Sequence, residues 1–181
     1  NFLINQGGYT WKPFTTTRTY DLAGNVTAQT YPSNRVTNYS YDTAGRLTNF
    51  NGTLGDGASR TYADQMAYNA AGQMTKERFG TNTLLYHNLH YNIRQQLYDS
   101  RLGTNSGDEF TWNRGALQFF YSSNQVWGGS GTDNNGNVFR ADHWRPLNDS
   151  TSTWYTAYTY YGYDNLNRIQ STSEYYNSSA N

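Results

Sequence analysis

Few side chains in this chain are of types and spacings that could do chemistry. His87 and His90 make an HxxH pair, a candidate for metal ligation. On a strand, positions three apart point to opposite faces, so the pair is not expected to share a metal. His143 follows Asp142, but no serine stands out as its nucleophile in a chain rich in Ser. Asp133-Asn134-Asn135-Gly136-Asn137 has the oxygen density of a calcium loop. Its glycine is out of place for that loop and no bidentate Glu follows. Trp11, Trp112, Trp127, Trp144 and Trp154 could stack on sugar rings, although packing against a sheet face is the simpler use of a tryptophan. Sequons at Asn25, Asn38, Asn51, Asn148 and Asn177 are no more than this composition yields by chance. The expectation is a non-catalytic chain with no metal and no cofactor.

The elements that hold these residues follow from composition. Aromatics make up 17% of the 181 residues, 18 of them Tyr, and charged residues only 14%, against roughly 25% in an ordinary domain. Tyr and Thr suit a pleated, half-buried surface, and Asn and Gly suit tight turns. The net charge is zero, so nothing electrostatic points to a nucleic-acid partner. There is no cysteine, hence no disulfide framework. No segment approaches the ~20 apolar residues of a membrane span. The chain opens on Asn1 rather than Met and is expected to be a piece of a longer parent.

An internal repeat dominates the sequence. Tyr20-Asp21-Leu22-Ala23-Gly24-Asn25-Val26 returns as Tyr41-Asp42-Thr43-Ala44-Gly45-Arg46-Leu47 and as Tyr68-Asn69-Ala70-Ala71-Gly72-Gln73-Met74. Tyr91-Asn92 opens a weaker copy, with Gln95 at the glycine position. Asp133 to Val138 keeps Gly136 but lacks the Tyr, and Tyr163-Asp164 opens the last copy, with Asn167 in place of Gly. An aliphatic residue or Met always lies five positions after the Asp or Asn: Val26, Leu47, Met74, Leu97, Val138, Ile169. The copies start 21, 27, 23, 41 and 31 residues apart. The widest gap suggests a decayed unit near Trp112-Asn113-Arg114-Gly115.

Each unit reads as the tip of a β-hairpin. The Asp or Asn starts a turn by accepting a backbone hydrogen bond two residues on. The Gly takes the left-handed conformation that costs other residues energy, and a type I turn closed by such a residue is a common hairpin link. The flanks alternate, as in Tyr39 and Tyr41, Tyr161 and Tyr163, or Leu117, Phe119 and Tyr121. Asn51 to Gly57 and Val126 to Gly131 read as loops. One hairpin is marginal in water, so the units should stack by neighbour contacts. The expected fold is all-β: tandem antiparallel hairpins in one extended, twisted or spiralling sheet, with open edges that invite more of the same.

The phrase Tyr-Asp-x-x-Gly-Arg-Leu-Thr at residues 41–48 resembles the YD repeat of Rhs proteins, which also occurs in toxin-complex subunits and teneurins. The resemblance runs from Tyr20 to Ser173. It implies a sheet strip that spirals into a hollow, secreted or cell-surface shell enclosing a toxin, with neighbouring repeats of the same or adjacent chains and an enclosed toxin domain as partners. An extracellular fibre or adhesin that touches carbohydrate is the alternative. Residues 1–19 then form a flank or decayed repeat, 20–173 the repeat region and 174–181 a tail or continuation. The Asp-Pro self-cleavage motif of complete shell proteins is missing, since none of Pro13, Pro32 and Pro146 follows an Asp.

Overall fold

The computed structural model describes residues 2–6, 10–106, 110, 112–147 and 153–180. Fourteen strands appear among them: β1 Phe2–Gln6, β2 Thr10–Phe14, β3 Thr17–Tyr20, β4 Val26–Thr30, β5 Val36–Tyr41, β6 Leu47–Thr53 and β7 Arg60–Tyr68. They continue with β8 Met74–Phe79, β9 Leu85–Tyr91, β10 Leu97–Gly103, β11 Gly115–Phe120, β12 Arg140–Pro146, β13 Thr153–Tyr163 and β14 Ile169–Ala180. The first two pair with each other. The other twelve form one open antiparallel sheet in unbroken chain order, from β3 to β14. Every pair of adjacent strands in the sheet is also adjacent in sequence, the arrangement expected where most connections are short. Among the described residues no helix is long and apolar enough to cross a membrane.

Contacts divide the chain into two compact units, residues 1–67 with 77–83 and residues 68–76 with 84–181. In the first, Thr37 is buried, Tyr39 stacks on Phe50 at 5.1 Å and Phe50 lies against Tyr62. Asn51 to Thr53 are not loop but the end of β6, paired with Val36 to Asn38. Gly52 permits that pairing, because a Cβ there would stand 2.0 Å from the Val36 carbonyl oxygen. In the second unit, Tyr86, Ala116, Phe120, Ala141 and Ala157 are buried together with Asp99, Arg101 and Asp142. β14 runs on through residues 174–180, within the stretch read above as a tail or continuation.

The connection between β11 and β12 departs from expectation. The copy at Asp133 is not a hairpin tip, because no strand leads into it. Gly136 is left-handed, at φ 101°, but the turn that ends β11 lies earlier, at Tyr121-Ser122-Ser123-Asn124-Gln125. There the Gln125 N–H donates to the Ser122 carbonyl at 3.1 Å and Gln125 has φ 51°. The decayed unit therefore sits at Tyr121, not at Trp112 to Gly115, which lead into β11 through Arg114 N–H on the Leu102 carbonyl. Ser replaces the Asp and Gln the Gly, which hid the turn from a search for Asp and Gly.

Candidate functional site

The feature repeated along the sheet is the tip itself. At Asp42, Oδ1 accepts from the N–H groups of Ala44 and Arg46, both at 2.9 Å, while Oδ2 accepts from Arg46 Nε at 2.8 Å. The backbone closes around it: Asp42 N–H donates to the Arg46 carbonyl and Gly45 N–H to the Asp42 carbonyl. Asp21 does the same with Ala23 and Asn25, and Asp164 with Leu166 and Arg168. Asn69 and Asn92 accept identically from Ala71 and Gln73 and from Arg94 and Gln96. Their Nδ2 groups donate to the side-chain oxygens of Gln73 and Gln96, both at 2.9 Å.

The left-handed position falls on Gly24, Gly45 and Gly72 at φ 88°, 77° and 82°, on Asn167 at 59°, and on Gln95 at 63°. Gln95 thus adopts the turn despite its Cβ. Four of the tips end in a bulge that sets Tyr20 opposite Val26, Tyr41 opposite Leu47, Tyr91 opposite Leu97 and Tyr163 opposite Ile169.

The partner four residues after the Asp or Asn escaped the sequence reading, although its signal was present. Where the turn opens on Asp, that partner is a donor, Asn25, Arg46 or Arg168. Where it opens on Asn, the partner is Gln73 or Gln96, whose oxygen meets the second amide N–H. The bonds also set the electrostatics. The Asn25 side-chain amide does most to hold the Asp21 carboxyl below the usual range, and the Arg46 and Arg168 backbone N–H groups do so for Asp42 and Asp164.

A second feature joins one hairpin to the next. The Tyr41 hydroxyl donates to the Val26 carbonyl at 2.9 Å, Tyr91 to Met74 at 3.0 Å, Tyr121 to Leu97 at 2.8 Å and Tyr163 to Val138 at 2.9 Å. The acceptors Val26, Met74 and Leu97 open the departing strands β4, β8 and β10, and Val138 lies two residues before β12. Burial pushes Tyr91, Tyr121 and Tyr163 above the ordinary tyrosine range, so the bonding form stays protonated. Tips also touch directly, Gln73 Nε2 donating to the Gln95 carbonyl, and the β11–β12 connection touches the tips on either side, Asn134 Nδ2 donating to Gln96 Oε1 and Asn137 Nδ2 to Asn167 Oδ1. Asp133 accepts from Ser123 N–H at 3.0 Å and from its hydroxyl at 2.5 Å.

The remaining chemical candidates scatter. His87 Nε2 lies 2.9 Å from Ser100 Oγ, while His90 Nδ1 lies 3.2 Å from Asp99 Oδ2, across the sheet plane from it. Asp99 also accepts from Arg101 Nε at 2.6 Å, and Arg101 reaches the Phe110 carbonyl. Asp142 is buried against Arg140 and turns away from the exposed His143. Burial is the main reason the Asp142 carboxyl is raised, against the pull of Arg140. Among the described residues no cluster of three metal-ligating side chains occurs. Trp112 packs on Trp144 and Trp154, with ring centroids 6.0 and 4.5 Å apart. Trp127 is 44% exposed and meets Tyr98 edge-on. The Trp11 side chain lies outside the described residues.

The RHS Repeat family model matches residues 20–50, the first two tips and the strands between and beyond them. No curated protein matches the chain in sequence. Its fold is similar to part of the Tc holotoxin pore of Photorhabdus luminescens, at 17% identity and a TM-score of 0.59, over 90% of this chain and 9% of that one. A TcdB2-TccC3-TEV structure matches at 18% identity and a TM-score of 0.60, over 96% of this chain and 10% of that one. TcdB2-TccC3 without its hypervariable C-terminal region matches at 18% and 0.59, over 92% and 9%. The chain thus spans about a tenth of the solved chains that share its fold.

Proposed function

We propose, taking the chain as an Rhs/YD-repeat segment of all-β fold, that it is non-catalytic wall material of a secreted or cell-surface shell that encloses or delivers a toxin. One observation carries this reading. The same tyrosine anchor fastens hairpin after hairpin to its predecessor, so what the sequence repeats is a joint and not a reaction centre. A sheet held by neighbour contacts can be lengthened without changing its parts. The solved relatives of this fold are components of Tc toxins, and a wall around a toxin is the use this segment shares best with them. The test is protease protection in the parent protein. An enclosed domain resists digestion until the wall is opened; digestion as fast as that of the free domain ends the reading.

A second reading, an extracellular fibre or adhesin that touches carbohydrate, draws on one feature. Tyr158, Tyr160, Ser173 and Tyr175 line an open groove of about 410 Å³, wide enough for a sugar ring against aromatic walls. It uses tyrosines rather than the tryptophans. Retention on a glycan array that Tyr175→Ala abolishes would favour this reading, and no retention would remove it.

A further inference from the structure

The connection that stands in for a tip between β11 and β12 is longer than a reversal needs. It runs from residue 121 to residue 139, beyond the ~12–15 residues at which a connection without strands usually serves a function or is disordered. Together with Tyr163 at the end of β13 it encloses a cavity of about 220 Å³. All the walls belong to one compact unit. Tyr121, Phe139 and Tyr163 supply ring surface. Both tyrosine hydroxyls are spent on the Leu97 and Val138 carbonyls, so these residues offer the cavity chiefly their rings.

Ser123, Asp133, Asn135 and Asn137 supply the polar side. At Asp21, Asp42 and Asp164 both carboxylate oxygens are taken up inside the turn. Asp133 differs. Its Oδ2 accepts both bonds from Ser123, and no other described residue donates to its Oδ1. The Ser123 hydroxyl does most to hold this carboxyl below the usual range, so it is ionised at neutral pH. Asn137 donates through Nδ2 to Asn167 Oδ1 at 3.0 Å, and its own Oδ1 accepts from no described residue. Asn135 Nδ2 meets the same Asn167 oxygen only at 3.5 Å, the limit of a hydrogen bond, and so remains a donor. The rim thus presents two acceptors, one of them charged, and a donor, beside aromatic rings. The bonds around these groups also hold the walls, so the cavity is formed before a ligand arrives.

We propose that this cavity binds one saccharide ring, the terminal pyranose of a glycan. Vicinal hydroxyls both donate and accept, which matches a carboxylate, an amide oxygen and an amide N–H side by side. The C–H face of the ring matches the aromatic wall. An organic cation would use the acceptors and the rings but leave the Asn135 amide without a role. The volume suits a single ring, being below the roughly 300–1,000 Å³ of pockets for drug-sized ligands. The site is separate from the groove at Tyr175. It depends on neither reading of the chain's role, since a wall and a fibre can both carry it.

Saturation-transfer NMR on the parent protein tests this. The probes are the methyl pyranosides of glucose, galactose, mannose and N-acetylglucosamine, with tetramethylammonium as the cation control. At least one pyranoside is expected to receive saturation, most strongly at its ring C–H protons. Asp133→Asn should weaken its binding about tenfold, the worth of a hydrogen bond to a charged group, and Phe139→Leu about fivefold. Tyr175→Ala should change nothing. Asp133 also braces Ser123, so the melting temperature of each variant is compared with that of the unmodified protein. Phe139→Leu leaves that brace intact and carries the test if Asp133→Asn unfolds. No transfer to any pyranoside, transfer to tetramethylammonium alone, or full binding by folded Asp133→Asn and Phe139→Leu would each overturn the proposal. Loss of binding with Tyr175→Ala alone would move the sugar to the β13–β14 groove and overturn it as well. Protease protection of an enclosed domain is untouched by any of these outcomes.

Discussion

The tip at Asp42 and the connection from Ser122 to Val138 make the same reversal by opposite means. At Asp42 five residues close on themselves, through one carboxylate, one guanidinium and one left-handed glycine. The connection has Ser122 where the tip has its Asp, and the carboxylate that meets its turn comes from Asp133, ten residues beyond Ser123. It leaves β11 through Ser122 and Gln125, then fastens to the neighbouring tips with amides, Asn134 on Gln96 and Asn137 on Asn167. Yet Tyr121 precedes it as Tyr41 precedes Asp42, and Val138 follows it as Leu47 follows Gly45. Both flanks keep the tyrosine-to-carbonyl bond. The joint is therefore the fixed part of the design, and the tip is replaceable so long as it returns the chain in register.

The two regions also differ in what a mutation should remove. The irregular half buries charge: Asp99 is 0% exposed and meets Arg101 and His90. Asp99→Ala would strand the Arg101 guanidinium, and about 3–5 kcal/mol of stability should be lost. A loss in the unfolding free energy from urea titration of less than a fifth of that would place the strength of this half elsewhere. Next in size is Gly131→Ala, whose Cβ would stand 2.2 Å from Ser122 Cβ at a left-handed φ of 60°. It should cost about 2–3 kcal/mol by overpacking plus strain. Gly45→Ala, with nothing nearer than Asn25 Nδ2 at 4.0 Å, should cost only about 1 kcal/mol. Equal losses at the two glycines would contradict the distinction between a packed connection and a free-standing tip.

If the joint is the fixed part, Tyr121→Phe and Tyr163→Phe should cost the same, about 1–2 kcal/mol each, although only Tyr163 leads into an Asp turn. Urea titrations of the two variants compare them directly. A large cost at Tyr163 with none at Tyr121 would return the primacy to the tip. Smaller still is Gln95→Gly. It relieves a side chain held at φ 63° and should stabilise by about 0.5–1 kcal/mol, unless its contribution to the Asn92 tip outweighs the strain. Its side chain supplies none of the bonds around Asn92, which come from Arg94 and Gln96.

Much of this architecture was legible, because a hairpin tip is a local object. Asp42, Gly45 and Leu47 specify a turn, a left-handed residue and a strand start within a few positions, and no distant contact decides among them. The turn at Tyr31 to Arg35 was equally local. Its Asn34 N–H closes on the Tyr31 carbonyl at 2.9 Å, with Pro32 ahead of a left-handed Asn34. It went unread because it lacks the Tyr-Asp pair. What stayed out of reach was non-local. That Tyr121 and not Asp133 holds the missing joint depends on a bond to Leu97 across the sheet. The covering of Asp99 depends on Phe110 and Trp127 lying against Arg101, which no periodicity along β10 announces.

The smallest effect separates the tips by proton uptake. Asp21, Asp42 and Asp164 have folded carboxyls held below the ordinary value of 3.8. A depressed carboxyl favours the fold above its unfolded value, and that contribution disappears as pH falls through the folded one. Asn69 and Asn92 build the same turn with nothing to titrate. The tips are exposed, so solvent screens the gain and it should be slight. Exchanging the Asp42–Arg46 and Asp164–Arg168 pairs for Asn and Gln, as at residues 69 and 73, should leave Tm at neutral pH nearly unchanged and flatten its fall between about pH 4.5 and 2.5. Asp56 and Asp133, also lowered, and Asp142, raised by burial, are common to both proteins and cancel in the comparison. Parallel acid profiles would show that the carboxylates at these tips act as hydrogen-bond acceptors no better than an amide oxygen, and that the choice between Asp and Asn is set by the partner four residues on.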